Sequence, residues 1–130
     1  MSIYTKEEQL KLIEESWENL SKIDNQYEEI CLDAVRKDGW ALQYVKNQTP
    51  KICIEAVKDI GRGLQYVKNQ THEICLEAVK ANGWVLKDVK EQTYDICLEA
   101  VKANGRALQY VKEQTPELCL EAVKKSWWSA

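Results

Sequence analysis

Five cysteines stand at positions 31, 53, 75, 97 and 119, each 22 residues from the next. Thiolates are the chemistry of zinc sites and redox couples, but a tetrahedral zinc site draws on close pairs such as Cys-x2-Cys that bring four ligands within bonding range. A spacing of 22 offers no such pair. The sequence therefore predicts cysteines that act as small apolar fillers in a reducing compartment, the alternatives being a redox role or an intermolecular disulfide through Cys119. The only histidine, His72, holds a position taken elsewhere by Pro50, Tyr94 and Pro116, so it is expected as an exposed first-turn residue. No nucleophile–base pair, phosphate loop or metal motif accompanies it. The expectation is a protein that is not an enzyme, with no catalytic residue, no metal and no cofactor.

A second recurring chemistry is aromatic and cationic. Trp40, Arg62, Trp84, Arg106 and Trp128 alternate at the same period, and four residues after the first four come Tyr44, Tyr66, Asp88 and Tyr110. On an α-helix each pair would share a face. Repeats stacked in register would place each Arg between two Trp rings, a cation–π arrangement worth about 0.5–1 kcal/mol per contact, with Asp88 in reach of Arg62 or Arg106. Such a strip fastens one repeat to the next. Because Trp, Tyr and Arg also dominate binding hot spots, Trp40, Tyr44, Arg62, Tyr66, Trp84, Arg106 and Tyr110 are the candidate partner-binding residues. Gln26, Gln48, Gln70, Gln92 and Gln114 recur at the joints, where an amide can bond backbone groups that a turn leaves unpaired.

The elements that position these residues follow from the period. Residues 71–92 and 93–114 share 16 of 22 identities. Full repeats span 27–48, 49–70, 71–92 and 93–114, with a partial one at 115–130 and a degenerate one at 5–26. Each predicts two helical stretches. Thr49-Pro50 and Thr115-Pro116 place a cap before a Pro whose missing N–H costs nothing, opening a helix A of about nine residues that closes at a left-handed Gly. A helix B of about seven residues follows, as in Trp40 to Lys46. Helices this short are marginal alone, so neighbouring repeats must stabilise them. Helix A, apolar almost all round at Ile30, Cys31, Leu32, Ala34 and Val35, is expected as an enclosed central layer, with helix B outside. Residues 5–20 form a polar cap whose Leu10, Ile13, Trp17 and Leu20 make one stripe, and Thr5 to Glu8 fits a capping box. The predicted fold is all-α: one domain over 1–130, an α-solenoid of 22-residue two-helix repeats with a degenerate N-terminal capping repeat and a truncated C-terminal repeat.

The string Glu73-Ile74-Cys75-Leu76-Glu77-Ala78-Val79-Lys80-Ala81-Asn82-Gly83-Trp84 resembles the repeat of the DUF4116 family, with its apolar-acid-Ala-Val-Lys/Gln-x-Asn-Gly core and a following aliphatic-Leu-x-Tyr segment matched by Ala107-Leu108-Gln109-Tyr110. The resemblance covers residues 27–124. It implies a small helical repeat without a defined biochemical activity, of a kind found in viral, protist and bacterial proteins. The Gln-Thr-Pro joints and the Cys in every repeat depart from the family pattern.

Charge narrows the partner class. With 18 basic and 21 acidic residues the net charge is −3, against a nucleic-acid surface. No apolar run approaches the roughly 20 residues that span a bilayer, and the N-terminus lacks a signal-peptide plan, so the expected location is the cytoplasm of a bacterium or of a virus or phage host. The leading expectation is a protein-binding module, in one form a small viral or phage inhibitor of a host protein. A nucleotide-like ligand gripped by the Arg and Trp positions is the alternative, and a designed repeat scaffold without a natural partner is a third. Trp127 and Trp128 are expected to fold back as an end cap, leaving a monomer, or else to join two chains end to end.

Overall fold

The computed structural model describes residues 3–58 and 62–128, the side chains of residues 62 and 126–128 excepted. Among the described residues the chain is all-helical. Six α-helices, α1 (Lys6–Glu15), α2 (Glu28–Lys37), α3 (Pro50–Val57), α4 (His72–Ala81), α5 (Tyr94–Ala103) and α6 (Pro116–Trp128), alternate with five 3₁₀ helices. The latter are η1 (Trp17–Lys22), η2 (Gly39–Tyr44), η3 (Arg62–Tyr66), η4 (Gly83–Asp88) and η5 (Gly105–Tyr110). None of the helices is long and apolar enough to cross a membrane.

The α-helices begin as their sequence dictates. Thr49, Thr71, Thr93 and Thr115 accept the N–H of the residue three places on, at 3.2–3.4 Å, satisfying one of the donors every helix start leaves orphaned. Thr5 and Glu8 close a reciprocal capping box. Only α2 starts without a side-chain cap, because Tyr27 occupies the Thr position.

The helix ends differ from expectation. Neither Gly39 nor Gly83 stops its α-helix by turning left-handed, and Gly61 lies outside the described residues. The residue before the glycine does the work: Asp38, Asn82 and Asn104 are extended, with φ near −155°, and give their own N–H to the carbonyls of Ala34, Ala78 and Ala100. Their side chains then accept the N–H of Trp40, Trp84 and Arg106 at 3.0–3.1 Å. One Asx residue thus ends a helix and starts the next. The second helix is 3₁₀ because an extended Val follows within six residues, at Val45, Val89 and Val111. A segment that short gains more from i→i+3 bonds, which close a turn sooner. Ser16 plays the Asx part in the first repeat, capping both α1 and η1. That splits the expected Leu10–Leu20 stripe and makes residues 5–26 a two-helix unit like the others.

Gly39 and Gly83 are required for a different reason. A Cβ on Gly39 would stand 2.2 Å from the carbonyl oxygen of Ala56, and one on Gly83 would stand 2.3 Å from that of Ala100. The 3₁₀ turns η2 and η4 thereby press their backbone against the α-helix of the next repeat, which a side chain would prevent.

Every contact between elements joins neighbours in the chain: each α-helix meets the α-helices before and after it and the two flanking 3₁₀ helices, and the 3₁₀ helices meet one another in order. The core runs between these two layers. Ile30, Ile52, Ile74, Ile96 and Leu118 come from the α side; Leu20, Leu42, Leu64 and Leu86 come from the 3₁₀ side, all essentially inaccessible. Burying each such side chain contributes about 1.5–3 kcal/mol. No third layer covers the α-helices, so helix A is not the enclosed centre expected from its composition. Its Leu76 and Leu98 are only partly buried. Its Ala and Val positions are covered by the adjacent repeat instead.

Gly83→Ala should destabilise the fold by about 1–3 kcal/mol through overpacking, read as a lower urea midpoint. At a negative φ with free space the same change would stabilise by about 0.4–1 kcal/mol, so a raised midpoint would contradict the close approach to Ala100.

Candidate functional site

Two repeating sets of side chains follow from this framework, one at the joints and one on the 3₁₀ layer. At each joint a Gln precedes the cap position, which Tyr27 fills at the first joint and Thr at the others. Gln26 donates through Nε2 to the carbonyls of Leu20 at 3.3 Å and Tyr44 at 2.7 Å. Its Oε1 accepts the N–H of Lys46 at 3.0 Å and the thiol of Cys31 at 3.5 Å. Both donors and both lone pairs of the amide are then used. Gln48 repeats the pattern with Leu42, Tyr66, Lys68 and Cys53. Gln70 bonds Asp88, Lys90 and Cys75, and Gln92 bonds Tyr110, Lys112 and Cys97. Each amide reaches the carbonyl 18 residues ahead and the N–H 20 residues ahead, so it clamps its repeat to the turn of the next.

The cysteines take part in this clamp. They are free thiols, and the four from Cys31 to Cys97 are buried. Burial pushes the Cys31 thiol up to about 11, with the charge of Glu28 adding to the effect. Burial raises Cys53, Cys75 and Cys97 as well. A thiol held protonated is a poor nucleophile but a weak donor, and here it points at the Gln oxygen. The sequence reading as apolar filler is thus incomplete: the constant five-residue offset between Gln and Cys was the available signal. In the first repeat Gln9 stands at the Cys position, wholly buried, and donates to the carbonyls of Tyr4 and Asn25 at 3.2 and 2.9 Å. No buried side-chain polar atom among the described residues lacks a partner.

The joints also form grooves. One of about 360 Å³ is lined in part by Lys68, His72, Cys75, Lys90 and Thr93, and others lie at the joints beside Gln26, Gln48 and Gln92. At the rim His72 Nε2 lies 2.7 Å from Asp95 Oδ2, joining α4 to α5. Asp95 also bonds the Thr93 hydroxyl and the N–H of Ile96. These contacts, the Thr93 bond foremost and His72 after it, hold its carboxyl below the usual range. Among the described residues no three His, Cys, Asp or Glu side chains converge as a metal site.

On the 3₁₀ layer the rings pair between repeats, not within them. Trp84 meets Tyr110 edge to face, centroids 5.6 Å apart at 64°, and Trp17 meets Tyr44 at 6.4 Å and 34°. In a 3₁₀ helix the residues that eclipse are three apart, so Trp and Tyr four apart do not share a face as an α-helix would make them. Arg106 is exposed, and it forms neither a cation–π contact with Trp84 nor an ion pair with Asp88. Asp88 takes part through its backbone carbonyl, which Gln70 holds. Trp40 is 41% exposed, while Tyr44, Tyr66 and Tyr110 pack partly against the core. The side chains of Arg62, Trp127 and Trp128 lie outside the described residues. Trp17 was not among the expected strip residues; its position in the repeat is that of Gly39, so the period alone hides it.

Residues 71–115 match the model of a family described as "Domain of unknown function (DUF4116)", which bears out the resemblance seen in the repeat. Comparison with curated proteins and with solved structures returned no match.

Two outcomes test the joints. Gln70→Ala leaves the carbonyl of Asp88 and the N–H of Lys90 without their partner, and should cost about 1–3 kcal/mol in chemical denaturation; a loss near zero would remove the clamp from the account. For Asp95 the folded state binds its proton more weakly than the unfolded chain, so its contribution to stability is present above about pH 4 and is lost as pH falls through the folded value. Asp95→Asn should therefore flatten the acid limb of the stability profile, and an unchanged limb would contradict the shift.

Proposed function

We propose, for a chain whose residues 71–115 fall in the DUF4116 family, a non-enzymatic protein-binding module. The two layers with contacts only between chain neighbours support reading it as an α-solenoid of 22-residue two-helix repeats in a single domain, 1–130. An array of this kind presents the same positions of successive repeats as one extended surface. The reading places the module in the cytoplasm, with neither nucleic acid nor membrane as partner.

The observation that carries the reading is the division of labour between the two sets of side chains. The joint amides serve the fold, Gln26, Gln48, Gln70 and Gln92 each being bonded to backbone of the next repeat. The 3₁₀ layer keeps Trp40 and Arg106 exposed, residue types that supply large contact area and directed donors at hot spots. Trp84 and Tyr110 hold the layer together while offering ring edges beside them. Variation among repeats reaches the accessible part of this layer at Tyr44 and Asp88, whereas the varying Ala41, Val85 and Ala107 are buried and belong to the core. The surface is therefore Trp40, Tyr44, Arg62, Tyr66, Trp84, Arg106 and Tyr110, with Trp40 and Arg106 as its outward anchors.

One observation favours a second reading. Lys68, His72 and Lys90 around the joint groove would suit an anionic small molecule such as a nucleotide, sited at the joint and not on the strip.

Affinity capture from cells, comparing the native chain with Trp40→Ala/Arg106→Ala, separates these readings, because neither exposed residue carries the core. The protein-binding reading expects a protein retained by the native chain and lost by a variant with unchanged circular dichroism. The same retained set for both would contradict it. A small molecule released from both chains, and lost on Lys68→Ala/Lys90→Ala, would favour the groove.

A further inference from the structure

The bases that close the α-helices are not equivalent. Arg36, Lys58, Lys80, Lys102 and Lys124 hold one position of successive repeats. Arg36 and Lys58 pair with Glu55, and Lys124 pairs with Glu121. Lys80 and Lys102, exposed in the last turns of α4 and α5, enter no ion pair among the described residues. Two further exposed bases of the same repeats are also without an acid: Arg106, in the first turn of η5, and Lys87. Lys87 follows Trp84 by three, the spacing that shares a face in a 3₁₀ helix. These are the repeats that hold the Trp84–Tyr110 pair. Their exposed acids, Glu73, Glu91, Asp95 and Glu113, lie at the joints by the starts of the α-helices, away from Lys80, Lys102 and Arg106. The other ring pair, Trp17 with Tyr44, has the opposite surroundings. Against Lys22 stand Glu14, Glu15 and Glu18, all exposed, while Arg36 and Lys37 are taken up by Glu55 and Asp33.

We infer that the Trp84–Tyr110 pair and its four bases dock an acidic segment of a partner protein, an inference that rests on reading the 3₁₀ layer as a protein-binding surface. Charge complementarity selects this occupant. Bases without acidic partners attract carboxylates and steer their approach. Arg106 adds a planar fork of donors that matches a carboxylate. Trp84 and Tyr110 are half-buried, so their rings leave apolar area beside the charges for a side chain of the segment. Exposed ion pairs are individually weak, and the rings anchor what the charges orient. Around Trp17 and Tyr44 the three glutamates repel the same segment, so charge decides which of the two ring pairs it takes. A nucleic-acid backbone would meet these bases as well, but its phosphates continue past them to the exposed acids that give the chain its net charge of −3. A protein segment confines its carboxylates to a short stretch.

Selection from a displayed library of random dodecapeptides tests it. The native chain should enrich sequences rich in Asp and Glu that also carry an apolar or aromatic residue. The most enriched peptide, titrated by Trp fluorescence, should bind about ten-fold more weakly once its acids become Asn and Gln, the loss expected of several exposed ion pairs. Lys80→Glu/Lys102→Glu, with circular dichroism unchanged, should lose that peptide and enrich basic ones. Glu14→Lys/Glu15→Lys should not weaken it. Enriched peptides without acids, an acidic peptide indifferent to the Lys80/Lys102 reversal, or no enrichment at all would each overturn the proposal. So would a thymidine oligonucleotide held more tightly than the peptide and lost on the same reversal, which would assign the bases to a phosphate backbone. In any of these cases a protein still captured from cells through Trp40 would leave the broader protein-binding reading standing.

Discussion

The fold depends on a side-chain amide that does the work of a β-ladder. The α-helices α1 to α5, of eight to ten residues, and the 3₁₀ helices of five or six cannot persist alone in water, because nucleation is too costly for so few hydrogen bonds. Their turns also leave backbone groups without partners. The joint Gln resolves both difficulties, since one planar amide takes a carbonyl and an N–H two residues apart in the following turn. Each bond nets only about 0.5–1.5 kcal/mol, but the unmade alternative would leave the turn unsatisfied. The thiol five residues on, in the repeat that follows, also donates to the amide oxygen, and burial keeps that thiol protonated. Stability in such an array is a sum of neighbour terms, and the Gln clamp and the glycine contact add to the burial of Ile and Leu side chains between the two layers.

Much of this could be read before any coordinates. The Thr-Pro starts, the capping box at Thr5 and the alternation of two helical stretches all rest on local chemistry, which a sequence states directly. The type of the second helix was not legible, because propensity does not distinguish 3₁₀ from α over six residues. The Asx residue that imposes it, at Asp38, Asn82 and Asn104, stands next to the more conspicuous glycine. That glycine has two physical uses, left-handed backbone and close approach, and only the position of Ala56 or Ala100 tells them apart. Helix A looked enclosed because apolar residues surround it, whereas adjacent copies along the array cover its sides and its outer edge remains half-open.

The candidate surface shows the same limit. A period of 22 brings Trp and Arg to equivalent places, but which ring meets which is set by the rotation of one repeat on the next. That rotation pairs Trp84 with the Tyr110 of the following unit and leaves Arg106 outside. The clamp was half visible, as a Gln and a Cys five residues apart. Its other half lies 18 and 20 residues on, in a turn whose geometry had to be seen.

The joint is therefore internally satisfied by its own hydrogen bonds, and partner binding is proposed for the ring-bearing 3₁₀ layer. Amide hydrogen exchange resolved by residue tests the first half of that statement most directly. Lys46, Lys68, Lys90 and Lys112 sit outside any helix, in exposed turns, where an unbonded N–H exchanges at once. The account predicts that all four are protected, and that Gln48→Ala releases Lys68 ahead of the other three. Rapid exchange at these four amides in the native chain would contradict it.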